Sequence, residues 1–130
     1  MKSKALILMG LLSFLLPVFV LAQTNSVSSP KKVEVYYFHF EKRCATCNAV
    51  ESVSKETVLP YGEKVVFTSV NLDETSGAAI GKKMNVDSQT LLLVCGAERV
   101  DLTNEAFLNA RSKPEKLKKA IQVKLDRLLK

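Results

Sequence analysis

Two cysteines three positions apart, Cys44 and Cys47, are the residues in this chain whose types and spacing could carry chemistry. They stand where a β-branched and aromatic run, residues 33–40, gives way to a segment of helical composition. Unpaired backbone N–H groups and the helix dipole favour negative charge in the first turn of a helix. A thiol there loses its proton more easily, and the thiolate is the form that attacks disulfides or binds soft metals.

Three uses of this Cys-x-x-Cys pair follow from the chemistry of sulfur. In the first, Cys44 is the exposed nucleophile and Cys47, one turn into the helix, is the buried resolving thiol of a dithiol–disulfide exchange. In the second, both thiolates hold a soft metal or metalloid such as Cu(I) or As(III). In the third, the pair forms an inert structural bridge. We favour the first, because three cysteines make a poor framework for stapling a fold.

Three further polar or sulfur-bearing residues are candidates for the site. Arg43 either lowers the pKa of Cys44 by its charge or is a solvated surface residue. His39, the single histidine of the chain, either accepts a proton from the thiols or hydrogen-bonds a loop. Cys95 ends a predicted strand that runs away from the pair, roughly 15–20 Å from Cys44, so we expect a small buried hydrophobe there.

The first 22 residues have the pattern of a secretory signal peptide. Lys2 and Lys4 precede a long apolar run, and small residues stand before Gln23. An uncleaved membrane anchor is the alternative, since the run is just long enough to span a bilayer. Pro17 and the small residues favour cleavage and a periplasmic or secreted protein, in which residues 23–32 form a linker.

The net charge does not indicate a nucleic-acid-binding protein. Removing residues 1–22 takes away two lysines and no acids, which lowers the formal charge from +6 to +4. Much of the excess lies in residues 111–130, which contain no aromatic side chain for base stacking. Leucines and an isoleucine recur there at helical spacing, so we expect a core-facing helix with a solvated basic back and no nucleic-acid partner.

The remaining segments predict one α/β domain over residues 33–130, in the order β-α-β-α-β-β-α. Strands one and two are joined by a helix and should be parallel, whereas the last two strands should form an antiparallel hairpin. The last helix is expected to start at Ser112 and Pro114, a favourable cap and first-turn position. The other predicted elements are strands at 33–40, 63–72, 90–95 and 98–102, helices from Arg43 or Cys44 to about Val58 and at 73–84, and a helical turn at 104–110.

Three stretches of the sequence resemble a minimal thioredoxin-like fold. They are Cys44-Ala45-Thr46-Cys47 after the first strand, Val70 to Asp73 at the end of the second strand, and Thr90 to Val94 at the start of the hairpin. The resemblance implies a four-stranded mixed sheet of order 2-1-3-4 with helices on both faces. It also implies a protein dithiol or disulfide as partner. Such a fold lacks the extra first strand and helix of a full thioredoxin.

Two departures from ordinary thioredoxins accompany that resemblance. Gln89 stands where thioredoxins have a cis-proline facing the active thiols, and a cis bond before a non-proline residue costs about 2.5–4 kcal/mol. We therefore expect a trans peptide and a differently shaped substrate groove. Phe38 and Ser69 stand at the expected positions of the buried acid and lysine that help thioredoxins move the proton of the second cysteine.

A narrower resemblance rests on Tyr37-Phe38-His39, on Arg43-Cys44-x-Thr46-Cys47 and on Glu51. These residues are similar to a bacterial family of nitrophenyl-compound nitroreductase subunits, the ArsF-like family, found alongside aromatic-arsenical efflux. The resemblance implies a thiol redox subunit in nitroaromatic or arsenical reduction, with a membrane-associated redox partner. The chain has no flavin or nicotinamide motif, so we expect no cofactor here and another subunit to hold one.

Overall fold

The structure is a computed structural model that describes residues 29–130. The predicted signal peptide and residues 23–28 of the predicted linker lie outside the described residues. Residues 29–32, the rest of that linker, are exposed and belong to no helix or strand. Within residues 29–130, no helix combines the length and apolar character needed to cross a membrane.

Four strands form one mixed sheet in the order β2-β1-β3-β4. β1 pairs in parallel with β2 and antiparallel with β3, and β3 and β4 form an antiparallel hairpin that turns at Gly96, where φ is 59°. Hydrophobic side chains on both faces of β1 suit a central strand covered on both sides. The strands are β1 (Val33–His39), β2 (Val65–Asn71), β3 (Thr90–Cys95) and β4 (Glu98–Asp101).

The helices cover the two faces of the sheet unequally. One face of β1 packs against α1 (Ala45–Val58), α3 (Thr103–Asn109) and α4 (Pro114–Leu129) around the larger core cluster. The other face packs against α2 (Thr75–Met84) and the loops on either side of it. Because α1 begins at the carboxyl end of β1, its first turn lies at the edge where β1 and β2 end and β3 begins.

The apolar stripe of α4 fixes the position of α1. Leu117, Ile121 and Leu125 are fully buried, and their cluster includes Val50 and Val53 of α1. Lys118 joins the two helices at the surface through an ion pair with Glu56, 3.2 Å apart. The helix that carries both cysteines is therefore held by packing along its length, and the larger share of this stability comes from apolar burial.

The predicted sheet order, strand directions and element sequence are confirmed, and the ends of the elements differ by one or two residues. The prediction of Ser112 as the cap of α4 is wrong. Its Oγ donates to the carbonyl of Leu108 at 3.3 Å, and Lys113 occupies the N-cap position. A short 3₁₀ segment that was not predicted, Leu59–Lys64, follows α1 and contains Gly62 at a φ of 56°.

Candidate functional site

Cys44 is the N-cap residue of α1. Its backbone is extended, with φ −85° and ψ 167°, and its Sγ accepts a hydrogen bond from the backbone N–H of Cys47 at 3.3 Å. The residue is exposed, whereas Cys47 in the first turn is 2% exposed, and their sulfur atoms lie 2.7 Å apart. One sulfur therefore faces solvent and partners, and the other lies beneath it within reach for bond formation.

The pKa of Cys44 is lowered from its ordinary value. The largest cause is a hydrogen bond from the side chain of Cys47, followed by the backbone N–H of Cys47. The N–H of Thr46 acts in the same direction, while the slight loss of hydration opposes it. The thiolate of Cys44 is thus stabilised first by the S–H group of Cys47 and then by N–H groups of the first turn of α1.

Gln89, which directly precedes β3, contacts the second cysteine. The S–H group of Cys47 lies 3.2 Å from Oε1 of Gln89, which accepts its proton. Since Cys47 carries one proton, Gln89 and the sulfur of Cys44 are alternative acceptors for it. None of the peptide bonds in residues 29–130 is cis, as expected for glutamine at this position.

Arg43 and His39 lie together beside the thiols, but their polar groups are directed at each other. Nδ1 of His39 donates to the carbonyl of Phe40 at 2.9 Å, so Nε2 is the acceptor in this arrangement. Nε2 accepts from Nη2 of Arg43 at 2.8 Å and from Oγ of Ser69 at 2.9 Å. Arg43 also forms an ion pair with Glu51 on α1.

This network favours the loop-anchoring interpretation of His39. Its polar atoms hydrogen-bond to the loop, to β2 and to Arg43, and its side chain is 3% exposed. Arg43 is held by an acid and an imidazole, and the donors that lower the pKa of Cys44 most are those of Cys47. Both residues are therefore best described as fixing the loop that leads into α1.

Tyr37 is the residue of the site that the sequence analysis missed. Its side chain is fully buried and belongs to the cluster beneath α1, and burial raises its pKa. The charge of Cys47 raises that pKa further, so the phenol lies near the second thiol, although no well-formed hydrogen bond joins the two groups. Phe38, the expected counterpart of the buried acid of thioredoxins, lies on the opposite face with Val70 and Leu92.

The register of the sheet supports the assignment of Tyr37 to this position. Tyr37 pairs directly with Ser69 of β2, the expected counterpart of the thioredoxin lysine, and paired residues lie on the same face. The prediction for Phe38 is therefore wrong by one residue, since neighbouring side chains of a strand point to opposite faces. The alternation of β1 was a usable signal, because Tyr37 shares its face with Val33 and Val35.

Cys95 does not join the pair. The antiparallel register places Thr90 beside Phe38, at the end of the sheet that carries the thiols, and Val94 beside Glu34, at the other end. Cys95 follows Val94 and lies 3.7 Å from the carbonyl of Leu128 in α4, to which its S–H donates. It is partly exposed, a small departure from the expected fully buried residue.

A shallow cavity of about 580 Å³ lies next to this corner, on the face covered by α2. It extends from the loop after β1 to the loop before β3, so that Asp87 in its wall is two residues from Gln89. Its other lining residues are Phe40, Leu72, Ala78, Gly81, Lys82, Asn85 and Val86.

The donor set does not resemble a multi-ligand metal centre. Within residues 29–130, no three or more histidine, cysteine, aspartate or glutamate side chains come together as a group that could hold a metal ion. A thiophilic ion at this corner would have the two sulfurs of Cys44 and Cys47 as ligands.

No protein-family model matches this sequence, and no curated protein matches it. Solved structures do match, among them the following three. The germline-specific thioredoxin protein Deadhead of Drosophila melanogaster matches with a TM-score of 0.50 and 20% identity, over 71% of this chain and 80% of that chain. A malarial protein matches with a TM-score of 0.47 and 23% identity, over 68% of this chain and 96% of that chain. Thioredoxin-2 of the malaria parasite matches with a TM-score of 0.45 and 24% identity, over 73% of this chain and 89% of that chain.

The likeness to Deadhead, together with the strand order, shows that the chain has a thioredoxin-like fold. At 20% identity it shows the fold alone. The resemblance to the nitroreductase-subunit family stays a prediction.

Proposed function

We propose that this thioredoxin-like protein is an exported thiol–disulfide redox protein that works through Cys44 and Cys47. The observation that carries the proposal is the asymmetry of the pair. An exposed sulfur with a lowered pKa caps α1, and a buried sulfur lies 2.7 Å behind it. A nucleophile that a partner can reach and a resolving thiol that it cannot are the two parts that disulfide exchange needs.

The exchange proceeds in two balanced steps. The thiolate of Cys44 attacks one sulfur of a partner protein's disulfide, forming a mixed disulfide and releasing the other partner sulfur as a thiolate. Cys47 then loses its proton to the released thiolate and attacks Sγ of Cys44, which frees the second partner sulfur. Two electrons pass from this protein to the partner, and the Cys44–Cys47 disulfide remains. Run backwards, the oxidised protein accepts electrons from a partner dithiol.

The reduction potential of the pair tests this proposal. Equilibration with glutathione or dithiothreitol buffers, followed by alkylation and mass measurement, should give a potential near or above about −270 mV. Cys44→Ser should abolish exchange with a protein disulfide, and Cys95→Ser should retain it, because Cys95 lies at the other end of the sheet. A potential below about −300 mV, with Cys44 reacting as an ordinary thiol, would instead identify a structural bridge.

The same variants decide between redox exchange and transport of a soft metal. A carrier of Cu(I) or As(III) would bind one ion per chain tightly, and would lose it in both Cys44→Ser and Cys47→Ser. Binding of that kind, together with failure to exchange disulfides, would contradict the redox proposal.

Export is proposed from the composition of residues 1–22. The supporting features are the two lysines and the apolar run that follows them. Expression of the full chain in a bacterium tests the proposal. We expect a mature protein that starts at or near Gln23, is released with the periplasmic fraction or medium, and is oxidised there. A full-length chain in the membrane fraction would indicate a retained anchor.

The narrower proposal is that the redox partner is membrane-associated and reduces nitroaromatic or aromatic-arsenical compounds. This proposal is supported by a sequence similarity to nitroreductase subunits, which covers Tyr37-Phe38-His39 and the cysteine pair. The purified protein alone should not reduce a nitrophenyl compound, because the chain has no flavin or nicotinamide motif. Membranes of the native host should do so in a manner that requires Cys44. Equal reduction with Cys44→Ser would refute this narrower role.

A further inference from the structure

The hydroxyl of Tyr37 is buried without a well-formed hydrogen bond to any described residue. The side chain is fully buried at the centre of the sheet, and its ring centroid lies 5.7 Å from that of His39. A buried hydroxyl with no partner is destabilising. The site therefore favours any state of the protein in which a neighbouring group becomes a strong acceptor.

Cys47 becomes such an acceptor during disulfide exchange. Once Cys44 is tied up in a mixed disulfide, Cys47 must lose its proton before it can attack. The resulting thiolate is buried, and a buried anion requires donors. Oε1 of Gln89, which contacts Cys47 in the dithiol, is an acceptor and cannot supply one.

We propose that Tyr37 donates its O–H to the thiolate of Cys47 in the second step of the exchange, and so acts in place of the buried acid and lysine of ordinary thioredoxins. This inference rests on the proposed dithiol exchange. The phenol keeps its proton throughout and acts as a donor, while the proton of Cys47 goes to the partner thiolate that the first step released. Burial, the first cause of the raised pKa of Tyr37, keeps the phenol protonated over the working range of the thiols.

The charged and titratable groups around this corner come from several elements. Cys44 and Cys47 face the phenol from α1 and its cap; Cys44 raises the pKa of Tyr37, and Arg43 in the preceding loop lowers it. His39 faces it from β1 and is engaged with Arg43 and Ser69. Loss of the Tyr37 hydroxyl alone therefore leaves the other polar contacts of the site in place.

The test follows the two steps separately in the full-length reduced protein. With one equivalent of dithiobis-nitrobenzoate, a first release of coloured thiolate reports attack by Cys44, and a second reports attack by Cys47. In Tyr37→Phe the first phase should be unchanged. The second should be about three-fold to ten-fold slower at neutral pH, because the thiolate fraction falls about ten-fold or more while intrinsic nucleophilicity partly compensates.

The pH profile separates this role from a structural one. In Tyr37→Phe the midpoint of the second phase should move up by about one unit or more, and its alkaline plateau should be higher than in the wild type, so that the two profiles cross. A purely structural defect has no reason to raise the plateau. Tyr36→Phe is the matched control, since Tyr36 is the adjacent tyrosine of β1 and stacks on Phe38 on the other face.

Two results would overturn the role of Tyr37. One is a second phase in Tyr37→Phe with the wild-type rate and midpoint. The other requires no variant at Tyr37: in Cys44→Ala, where Cys47 has no disulfide to attack, alkylation of Cys47 should have an acid-shifted midpoint, and an ordinary thiol midpoint contradicts the proposal. Absence of both phases in the wild type would refute the dithiol exchange itself, which is a different outcome.

Discussion

Replacement of His39 by leucine tests whether this residue acts in proton transfer or in fixing the loop before α1. His39 is 3% exposed, and its ring bonds the carbonyl of Phe40, the hydroxyl of Ser69 and the guanidinium of Arg43. The donors that lower the pKa of Cys44 most belong to Cys47. We therefore expect His39→Leu to lower stability while leaving the pH dependence of Cys44 reactivity in place.

The size of the stability loss depends on which hydrogen-bond partners of His39 can form hydrogen bonds with water in its absence. Ser69 is exposed, and the side chain of Arg43 is 28% exposed and remains paired with Glu51, so the loss of these two contacts costs little. The carbonyl of Phe40 loses its donor at a partly buried position. One lost hydrogen bond with its desolvation penalty gives about 1–2 kcal/mol. In a domain of about 100 residues, this lowers Tm by about 4–16 °C.

Urea unfolding of the reduced protein measures the stability of His39→Leu. The rate of iodoacetamide alkylation as a function of pH measures the pH dependence of Cys44 reactivity. Ser69→Ala serves as the control, since it removes one exposed partner of the same ring and should change stability by less than about 0.5 kcal/mol. A shifted alkylation midpoint in His39→Leu, at undiminished stability, would refute this reasoning and assign His39 to the chemistry of the thiols.

Two further predictions concern the scaffold and the thiolate. Gly77→Ala should lower stability in urea by about 1–3 kcal/mol or more, because its Cβ would lie 1.8 Å from the carbonyl oxygen of Asn71; Ala79→Gly, at an exposed position of the same helix, should cost about 1 kcal/mol or less. The lowered pKa of Cys44 makes a stabilising contribution that is complete above the ordinary thiol value of 9.0 and is lost as the pH falls through the lowered pKa. The unfolding free energy of the reduced wild type should accordingly rise relative to Cys44→Ser as the pH approaches 9.0, and equal pH dependence of the two proteins would contradict the lowering.

The order and direction of the strands could be predicted because they depend on patterns that reach across many residues. A crossover helix between two apolar runs requires parallel strands, and the short turn at Gly96 requires an antiparallel pair. The placement of Cys44, Cys47 and Gln89 at one corner followed from the same topology, since the carboxyl end of β1 and the start of β3 meet there. These inferences tolerate an error of one residue at the end of an element.

The role of the residues beneath the thiols could not be predicted with the same tolerance. An error of one position along β1 replaces Tyr37 by Phe38. The side chain then lies on the face of the sheet that packs against α2 and not on the face that packs against α1. The loop of residues 40–43 decides which of them lies under Cys47, and its path depends on the contacts of Arg43 with His39 and Glu51. These contacts join the loop to β1 and to α1, so the pattern of neither element alone predicts them.

The division of labour between the two cysteines follows from the environment of each sulfur. Cys44 is exposed and receives fixed donors from the first turn of α1, so its thiolate is stabilised in the resting dithiol. Cys47 is buried, and in the resting dithiol its S–H lies 3.2 Å from an acceptor, Oε1 of Gln89. Once Cys44 has reacted, a donor is needed on the buried side, where Tyr37 has an unpaired hydroxyl. The sequence of the two steps is thus built into the hydrogen bonds of the site, because the first thiolate is stabilised before the partner arrives and the second is stabilised once the mixed disulfide has formed.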